Sequence, residues 1–478
     1  MSVSRKIAGN TLVQLAGKAV TTVASLALVA LITRSLGVSS YGGYIAVLAY
    51  GQFFAVFADL GINVYAVKRL SSKEGDVERE ASAMYSIRLI GAVVILGIAA
   101  LIVPFMPYDA AVKQSIWVVL FAIFAQTVNS LFVSVLQAEL EMRYATFSEV
   151  AGRISILVFT AAAVLLHGGL MGVILATTAG NVINMVLSYV YAARFVRLRP
   201  ALDWPLMRYI VRQSLPISIT AILSYVYFKV DTVILSAVHL SGGRDSSVEL
   251  GIYGSAYKVL ELLQLIPTIF LGNLFPVLSS YVATDRKKAE SLLQKAFNAM
   301  ALVGFPITAT VFILATPLIV FVAGAGFAPA AVPLRILAFA VLLTYFNGLL
   351  TYTALALGLQ RNLIWVYAAA TVFNVALNLI FIPQYSYLAA ATTTCLTEVL
   401  VLFGAWLVCR GHISFSFSWR RPLHFALLTV ILCAVLIPLR SLSILITGPL
   451  AVALYAALVL GTKGVTPAEV RSVLRRQV

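Results

Sequence analysis

Residues 84–106 read MYSIRLIGAVVILGIAALIVPFM, and this stretch decides the class of fold. Its middle part, from Gly91 to Val103, contains no polar side chain, and Arg88 is the one charged residue of the stretch. A helix of about 20 mostly apolar residues is long enough to span the roughly 30 Å hydrocarbon core of a bilayer. The stretch therefore predicts a transmembrane helix.

The rest of the chain has the same character. Of its 478 residues, 61% are apolar and 11% are charged, whereas soluble domains are typically about 45–50% apolar and about 25% charged. The mean hydropathy of the whole chain is +0.98. The three cysteines, Cys395, Cys409 and Cys433, lie in apolar stretches and form no CxxC pair, which disfavours a disulfide framework or a metal site. These features indicate an integral membrane protein.

Fourteen apolar stretches follow one another along the chain. They are approximately 11–33, 42–66, 84–106, 114–138, 147–166, 169–193, 211–237, 250–278, 298–322, 332–358, 363–383, 387–409, 422–440 and 442–461. Each is about as long as a transmembrane helix needs to be. The sequence therefore predicts an all-α polytopic membrane protein with about 14 transmembrane helices, with twelve or thirteen as the alternative counts.

The basic residues predict the orientation of these spans. If the N-terminus is cytoplasmic, 24 of the 34 Lys and Arg residues fall in inside segments and only Arg34, Lys113, Arg244 and Arg440 fall in outside ones. Cytoplasmic loops carry such an excess of basic residues. We therefore expect a multi-pass protein of the inner, cytoplasmic membrane with both termini in the cytoplasm. The net charge of +16 is then a signal of topology, and no nucleic-acid partner is expected.

The loops leave no room for a catalytic domain. The longest outside loop, about 238–249, has roughly a dozen residues, and no HExxH, GxSxG or GxxxxGK[ST] motif is present. We therefore predict neither an enzyme nor an ATP-driven pump.

Two helix starts are predicted on the inside. Asp285 is expected to cap a helix. Thr466-Pro467-Ala468-Glu469 forms a capping box that opens a cationic amphipathic tail.

An internal repeat divides the chain. Residues 129–143 align with residues 347–361 at an offset of 218, and each copy contains the end of an even-numbered span and a short inside loop. Because six spans separate the copies, both halves begin on the inside and the repeat is parallel. The predicted organisation is an N-terminal lobe at 1–200 (spans 1–6), a C-terminal lobe at 201–411 (spans 7–12), and spans 13–14 with the cytoplasmic amphipathic tail at 412–478.

Short motifs over spans 1 to 12 carry a family resemblance. They are Asn10, TRSLG at 33–37, YGGY at 41–44, DLG at 59–61, Arg69, Val230-Asp231, GIY at 251–253, AYK at 256–258, Phe275-Pro276, ALG at 356–358, Arg361, Asn374 and LNLIFIP at 377–383. In this order they resemble prokaryotic polysaccharide-unit (O-antigen-type) flippases of the multidrug/oligosaccharidyl-lipid/polysaccharide exporter superfamily. After the last motif, 384–390 reads QYSYLAA where relatives often have a Gly-rich turn.

The resemblance implies a function. A two-lobed transporter with a central cavity would move a polyprenyl-diphosphate-linked oligosaccharide repeat unit to the outer leaflet for polysaccharide biosynthesis, including lipopolysaccharide O-antigen. It would work by alternating access driven by a sodium or proton gradient, without a cofactor. Its implied partners are this lipid-linked oligosaccharide, membrane lipids, and a polysaccharide polymerase with chain-length proteins. Alternatives are a lipid II flippase or a drug/cation antiporter of the same superfamily, and a non-transporting assembly scaffold.

Four cations on the first spans of each lobe are candidates for binding the diphosphate: Lys18, Arg34, Lys229 and Lys258. Anionic phosphate needs cationic groups in a low-dielectric cavity. Three of them have an alternative role. Lys18 could instead extend to the cytoplasmic interface, Arg34 could be a gate or an anchor at the outer interface, and Lys258 could pair with Glu261 three residues later.

Acidic residues inside the spans are candidates for ion coupling or gating. They are Asp59, Asp231 and Glu261. An unpaired carboxylate in a membrane cavity can bind a cation or take a proton. Asp59 could instead have a structural role near the end of its span.

Five further charged residues lie inside the spans. Arg88, Glu149, Arg153 and Arg335 lie near span ends and are expected at the membrane interface, whereas Glu398 lies deep in span 12 without a nameable partner. No catalytic or metal-binding residue is predicted.

Overall fold

The computed structural model describes residues 3–59, 61–72, 76–413 and 418–464, and this part of the chain is helical without a β-strand. The sixteen α-helices are α1 (Val3–Asp59), α2 (Ile62–Ser72), α3 (Val77–Ile102), α4 (Ala110–Ala138), α5 (Met142–Leu165), α6 (Gly169–Ala192), α7 (Trp204–Ala237), α8 (Ser246–Leu263), α9 (Leu265–Thr284), α10 (Arg286–Ile313), α11 (Ala315–Ala323), α12 (Ala331–Ala356), α13 (Gln360–Tyr385), α14 (Tyr387–Arg410), α15 (Arg420–Leu439) and α16 (Ile444–Gly461). The prediction of an all-α fold is confirmed.

Helix α1 is too long for one membrane crossing. Its 57 residues would extend about 86 Å at 1.5 Å per residue, nearly three times the hydrocarbon core. Gly37 interrupts it with φ 76° and ψ 179°, a conformation that is strained for residues with a Cβ. The glycine of the TRSLG motif therefore separates two crossings, which correspond to the predicted spans 1 and 2.

Twelve segments of the described residues are long and apolar enough to cross a membrane. One of them, Ala16–Asp59, contains the break at Gly37, and α7, with 34 residues, is not among the twelve. If α1 crosses twice and α7 crosses once, the count becomes the predicted fourteen. Predicted spans 8 and 9 are each built from two helices, α8 with α9 and α10 with α11.

The chain divides into two compact units, Met1–Gly251 and Ile252–Val478, with the division inside α8. Helix α7 groups with the first unit. The predicted lobes at 1–200 and 201–411 follow the repeat and stay a prediction. The amphipathic tail predicted from Thr466 onward lies outside the described residues.

In the first unit, α5 and α6 approach each other at two glycines. A Cβ at Gly152 would lie 2.9 Å from the main-chain oxygen of Gly180, and a Cβ at Gly180 would lie 2.7 Å from that of Gly152. Main-chain atoms cannot move aside as a flexible side chain can. Glycine at both positions therefore lets the two helices pack with their backbones in contact, as small residues do in membrane helix interfaces.

Gly180→Ala should lower the free energy of unfolding of the protein by about 1–3 kcal/mol, because the added methyl group forces α5 and α6 apart. Gly97→Ala is the matched control, since nothing lies within 4 Å of a Cβ at Gly97 in α3. The control should leave stability unchanged or raise it by up to about 1 kcal/mol. Thermal unfolding of the purified variants in detergent measures both effects, and equal melting temperatures would contradict the packing at Gly180.

In the second unit, α15 and α16 pack against α10. Their shared core contains Ala301 of α10, Phe425 and Leu432 of α15, and Tyr455 of α16.

Helix α10 begins directly after Asp285, whose carboxylate accepts a hydrogen bond from the Lys288 main-chain N–H at 3.1 Å. That bond and the nearby Lys288 ammonium hold the pKa of Asp285 below its usual range. The predicted cap is therefore confirmed.

The two copies of the predicted repeat share local structure. Each contains a helix, a short turn and a second helix, and the turns contain Leu140 with φ 57° and Gly358 with φ 74°, which correspond at the offset of 218. Asn129 and Asn347 also correspond, and both are buried with a side-chain oxygen that accepts no hydrogen bond from the described residues. The similarity thus extends to backbone geometry and to buried polar groups.

Candidate functional site

A polar cavity of about 670 Å³ lies inside the first unit, lined mainly by α1, α4, α5 and α6. Its walls are fixed by close helix contacts. A Cβ at Gly17 of α1 would collide with Thr146 of α5, and Gly152 and Gly180 join α5 to α6 as described above. Its volume lies in the range of small-molecule sites in proteins.

The wall of this polar cavity is rich in carboxamides, and eight of them line it. They are Gln14, Gln52, Asn63, Gln126, Asn129, Gln137, Asn181 and Asn184. A carboxamide both donates and accepts hydrogen bonds, as a sugar hydroxyl does. Polar groups at this density inside a membrane protein are costly unless they face water or a polar ligand. The wall is therefore suited to a molecule with many hydroxyl groups.

Three charged residues also line the polar cavity: Lys18 of α1, and Glu149 and Arg153 of α5. Within the part of the chain that the structure describes, none of the three forms an ion pair with another side chain. Two cations and one acid leave a net positive charge in the cavity. An anionic group would be attracted to it.

Lys18 was predicted either to bind the diphosphate in a cavity or to extend to the cytoplasmic interface. The structure places it in the wall of the polar cavity, as the first alternative requires. Glu149 and Arg153 line the same cavity, although their positions near a span end predicted an interfacial role. Their place in the cavity wall was not predicted, because a helical sequence does not show which face of a span meets a cavity. The i, i+4 spacing of the two residues on α5 was the available signal.

A second, smaller cavity of about 340 Å³ adjoins the polar cavity and shares Gln52, Asn63, Gln126 and Ser130 with it. Asp59 and, from α7, Ser218 and Tyr225 also line it. The Tyr225 hydroxyl donates a hydrogen bond to Gln52 Oε1 at 3.2 Å. This arrangement connects α7 to the polar wall of α1.

Asp59 forms a buried ion pair. Arg88 Nη1 donates to Asp59 Oδ1 at 2.7 Å and to the Asp59 main-chain oxygen at 3.0 Å. Asn63 donates to the same Oδ1 at 2.7 Å and accepts from Arg88 Nη2. The Arg88 side chain is 0% exposed and that of Asp59 is 35% exposed. Arg88 therefore lies in the protein interior instead of at the interface.

The ion pair favours the structural alternative for Asp59. The coupling hypothesis required an unpaired carboxylate. The Asp59 carboxylate instead accepts hydrogen bonds from the Arg88 guanidinium and the Asn63 carboxamide, at the end of α1. Gly61, at φ 66°, packs against Ser214 and Ser218 of α7. A coupling role for Asp59 stays a prediction.

The other predicted site residues do not line either of these two cavities. Arg34 is exposed, Lys229 is partly buried on α7, and Asp231 is fully buried. The Asp231 carboxylate accepts hydrogen bonds from the main-chain N–H and the hydroxyl of Thr232. The structure does not bring the four predicted cations together in one cavity of the first unit. Their predicted roles as substrate ligands stay untested.

Lys258 and Glu261 form an ion pair on α8, with Lys258 Nζ 2.8 Å from Glu261 Oε2. This contact matches the self-neutralising alternative. If each residue serves only to neutralise the other, Lys258→Met and Glu261→Gln should each reduce transport more than the double variant does, because a single change leaves one charge without its partner. Transport rates of the three variants in vesicles measure this. A double variant that is as inactive as Lys258→Met would show that the lysine itself binds substrate.

A buried polar centre lies in the second unit. Glu398 of α14 is 1% exposed, and its carboxylate accepts a hydrogen bond from the side chain of Asn347 of α12. Nearby, Asn374 of α13 donates to Thr397 Oγ1 at 2.9 Å, and Asn378 donates to Asn374 Oδ1 at 2.7 Å. The depth of Glu398 in its span was predicted from the sequence, whereas its amide partner was not.

The sequence matches a known family over more than half of its length. The profile of a family described as "Polysaccharide biosynthesis protein" matches residues 7–282. This range includes the polar cavity and the smaller cavity. No curated protein sequence matches the chain.

Solved structures with a similar fold are transporters. The lipid II flippase MurJ in an inward closed conformation is similar with a TM-score of 0.79 at 14% identity, over 94% of this chain and 98% of that one. An inward-facing multidrug resistance MATE family transporter of the MOP superfamily gives 0.66 at 15% identity, over 84% and 98%. A MOP superfamily transporter from Pyrococcus furiosus gives 0.56 at 14% identity, over 85% and 96%. At these identities the likeness concerns the fold.

Proposed function

Because the chain belongs to the polysaccharide biosynthesis protein family, we propose that it is a flippase for a polyprenyl-diphosphate-linked oligosaccharide. It moves the repeat unit from the cytoplasmic to the outer leaflet, where a polysaccharide polymerase and chain-length proteins use it. The protein is a multi-pass membrane protein. The inner membrane as its location, and cytoplasmic termini, belong to the proposal and are supported by the distribution of basic residues.

One observation carries this proposal: the carboxamide-lined cavity inside a unit built from membrane-spanning helices. Sugar hydroxyls lose their hydrogen bonds to water when they enter a membrane, and each lost bond has to be replaced. Eight carboxamides supply replacements. Lys18 and Arg153 supply positive charge for the diphosphate, as guanidinium and ammonium groups do in phosphate sites.

The cycle we propose is alternating access, coupled to a sodium or proton gradient. Substrate binding releases part of the cost of burying the carboxamides, which lets the loaded protein change conformation. The polyprenyl chain stays in lipid throughout, because its hydrocarbon gains nothing from a polar cavity. No covalent step is needed, so no catalytic residue is required.

Deletion and complementation in cells test the proposal. Loss of the chain should remove surface polysaccharide and leave lipid-linked oligosaccharide on the cytoplasmic leaflet. The wild-type chain should restore the polysaccharide, whereas Asn181→Leu with Asn184→Leu should restore little at equal protein level, because two hydrogen-bonding groups of the cavity are lost. Normal surface polysaccharide after deletion would contradict the proposed function.

A second candidate substrate is lipid II. It is favoured by the likeness of the fold to the lipid II flippase MurJ, and it is also a polyprenyl diphosphate carrying sugars. The two candidates make different predictions for the deletion. A lipid II flippase would be required for peptidoglycan synthesis and growth, whereas a repeat-unit flippase would be required for surface polysaccharide.

A further inference from the structure

Glu398 is a carboxyl group placed where a charge is hard to maintain. It lies 11 residues after the start of α14 and 12 before its end, so it is about 17 Å from one end of the helix and about 18 Å from the other. It is 1% exposed. A carboxylate at such a depth is costly unless a cation or several hydrogen-bond donors stabilise it.

The described surroundings supply little stabilisation for a carboxylate. Its one side-chain donor is Asn347 Nδ2, which also donates to the Glu398 main-chain oxygen at 3.0 Å. None of the described lysine, arginine or histidine side chains is paired with it. The titratable groups that feel its charge are the Tyr367 hydroxyl of α13 and the Cys395 thiol of its own helix, and α12 presents the neutral Asn347.

Two buried oxygen atoms at this site form no hydrogen bond with the described residues. Glu398 Oε1 and Asn347 Oδ1 are buried and have no hydrogen-bond partner among the described residues. They belong to a carboxyl and a carboxamide that already share one hydrogen bond. A proton on Oε1 would turn that atom into a donor, and Asn347 Oδ1 is the acceptor that lacks one. A carboxylic acid and an amide can then be joined by two reciprocal hydrogen bonds.

We propose that Glu398 is a proton-binding site of this transporter, protonated in this structure and paired through its proton with Asn347. The inference rests on the proposed function, since a coupling proton needs a transport cycle to drive. The reaction is the transfer of one proton from a hydronium ion to Oε1 when water reaches the site in an open conformation: one O–H bond of hydronium breaks, one O–H bond forms at Oε1, and the carboxylate is neutralised. Hydration of the site in another conformation releases the proton.

Further buried polar residues lie beside Glu398. Thr397 precedes it on α14 and receives the hydrogen bond from Asn374, which in turn accepts from Asn378. The Oδ1 atom of Asn378 is also buried without a described partner. Along α13, Asn374 and Asn378 lead toward the end at Tyr385. Buried polar groups therefore extend from the middle of the helix pair toward the turn between α13 and α14.

Infrared spectroscopy of the full chain in lipid vesicles tests the proton directly, whether or not the protein transports anything. The wild type should show the C=O band of a protonated carboxylic acid at neutral pH, and this band should shift in D₂O. Glu398→Gln should lose the band. The exposed Glu78→Gln is the matched control and should keep it. Absence of the band in the wild type would overturn the proposal without bearing on the flippase function.

Sodium ions provide the opposing test. If the site holds a cation instead, added sodium should remove the acid band at constant pH, whereas a proton site should be unaffected. In vesicles, an imposed pH gradient should accelerate translocation by the wild type, and Glu398→Gln should lose this acceleration while retaining translocation without a gradient. Sodium-dependent loss of the band, or full acceleration in Glu398→Gln, would overturn the proposal. If the wild type translocates nothing, with or without a pH gradient, this result would instead contradict the proposed function.

Discussion

Asp59→Ala should lower the free energy of unfolding of the protein by about 3–5 kcal/mol, because it leaves the guanidinium of Arg88 buried without its counter-ion. Arg88 is 0% exposed, and water that enters the space left by the carboxylate does not carry its negative charge. Asn63 would remain as a neutral acceptor for Nη2. A neutral amide oxygen stabilises the guanidinium less than a carboxylate does.

The reverse change has a smaller expected effect. Arg88→Met leaves Asp59, whose side chain is 35% exposed and faces the smaller cavity, where water can hydrate it. The double variant Asp59→Leu with Arg88→Met should recover much of the stability that Asp59→Ala loses, since no charge is then buried alone. Unfolding in detergent measures all three free energies.

This series also tests the predicted coupling role of Asp59. A residue that serves only the ion pair should affect stability, and a double variant with restored stability should transport normally. If the double variant is stable but no longer responds to an ion gradient, Asp59 has a role in coupling as well. If Asp59→Ala is as stable as the wild type, the ion pair does not stabilise the fold.

Lys18→Met and Arg153→Met should each reduce translocation about 10- to 100-fold. A charge-assisted hydrogen bond contributes about 1.5–3 kcal/mol, and each 1.4 kcal/mol corresponds to a factor of ten. Both side chains line the polar cavity without an ion-pair partner among the described residues, so their charge is available to an anion. Lys18→Arg should retain most of the activity because it keeps the charge.

The matched control is Lys68→Met, which removes the same charge from an exposed position on α2 outside the cavity. It should translocate at the wild-type rate. Initial rates in vesicles, normalised to the amount of protein inserted, measure the comparison. Wild-type rates in both Lys18→Met and Arg153→Met would show that the cavity does not bind the diphosphate through these cations.

The fold could be predicted from the sequence because burial in lipid requires long apolar runs. Most of the apolar run at residues 84–106 lies in α3, and Gly37 of the TRSLG motif is the break inside α1. The helix ends inside spans were harder to predict. Gln264 and Leu314 divide spans that read as continuous apolar runs, and hydropathy does not register such a local change of backbone.

The candidate site was only partly predictable. Lys18 was found because a charge in an apolar run is conspicuous, whereas Asn181 and Asn184 lie on α6 among apolar residues. The pairing of Asp59 with Arg88, 29 residues apart, depends on how α1 and α3 pack. The proximity of Asn347 to Glu398, 51 residues apart, depends likewise on α12 and α14. Contacts between distant segments are not contained in local patterns.

If the polar cavity of the first unit carries a lipid-linked oligosaccharide across the membrane, the purified full chain in vesicles should translocate such a lipid. The sugar is labelled, and its outer-leaflet fraction is measured over time. We expect translocation by the wild type and by Lys68→Met, and little by Lys18→Met with Arg153→Met. Equal translocation in vesicles with and without the protein, or an undiminished rate in the cavity variant, would contradict this expectation.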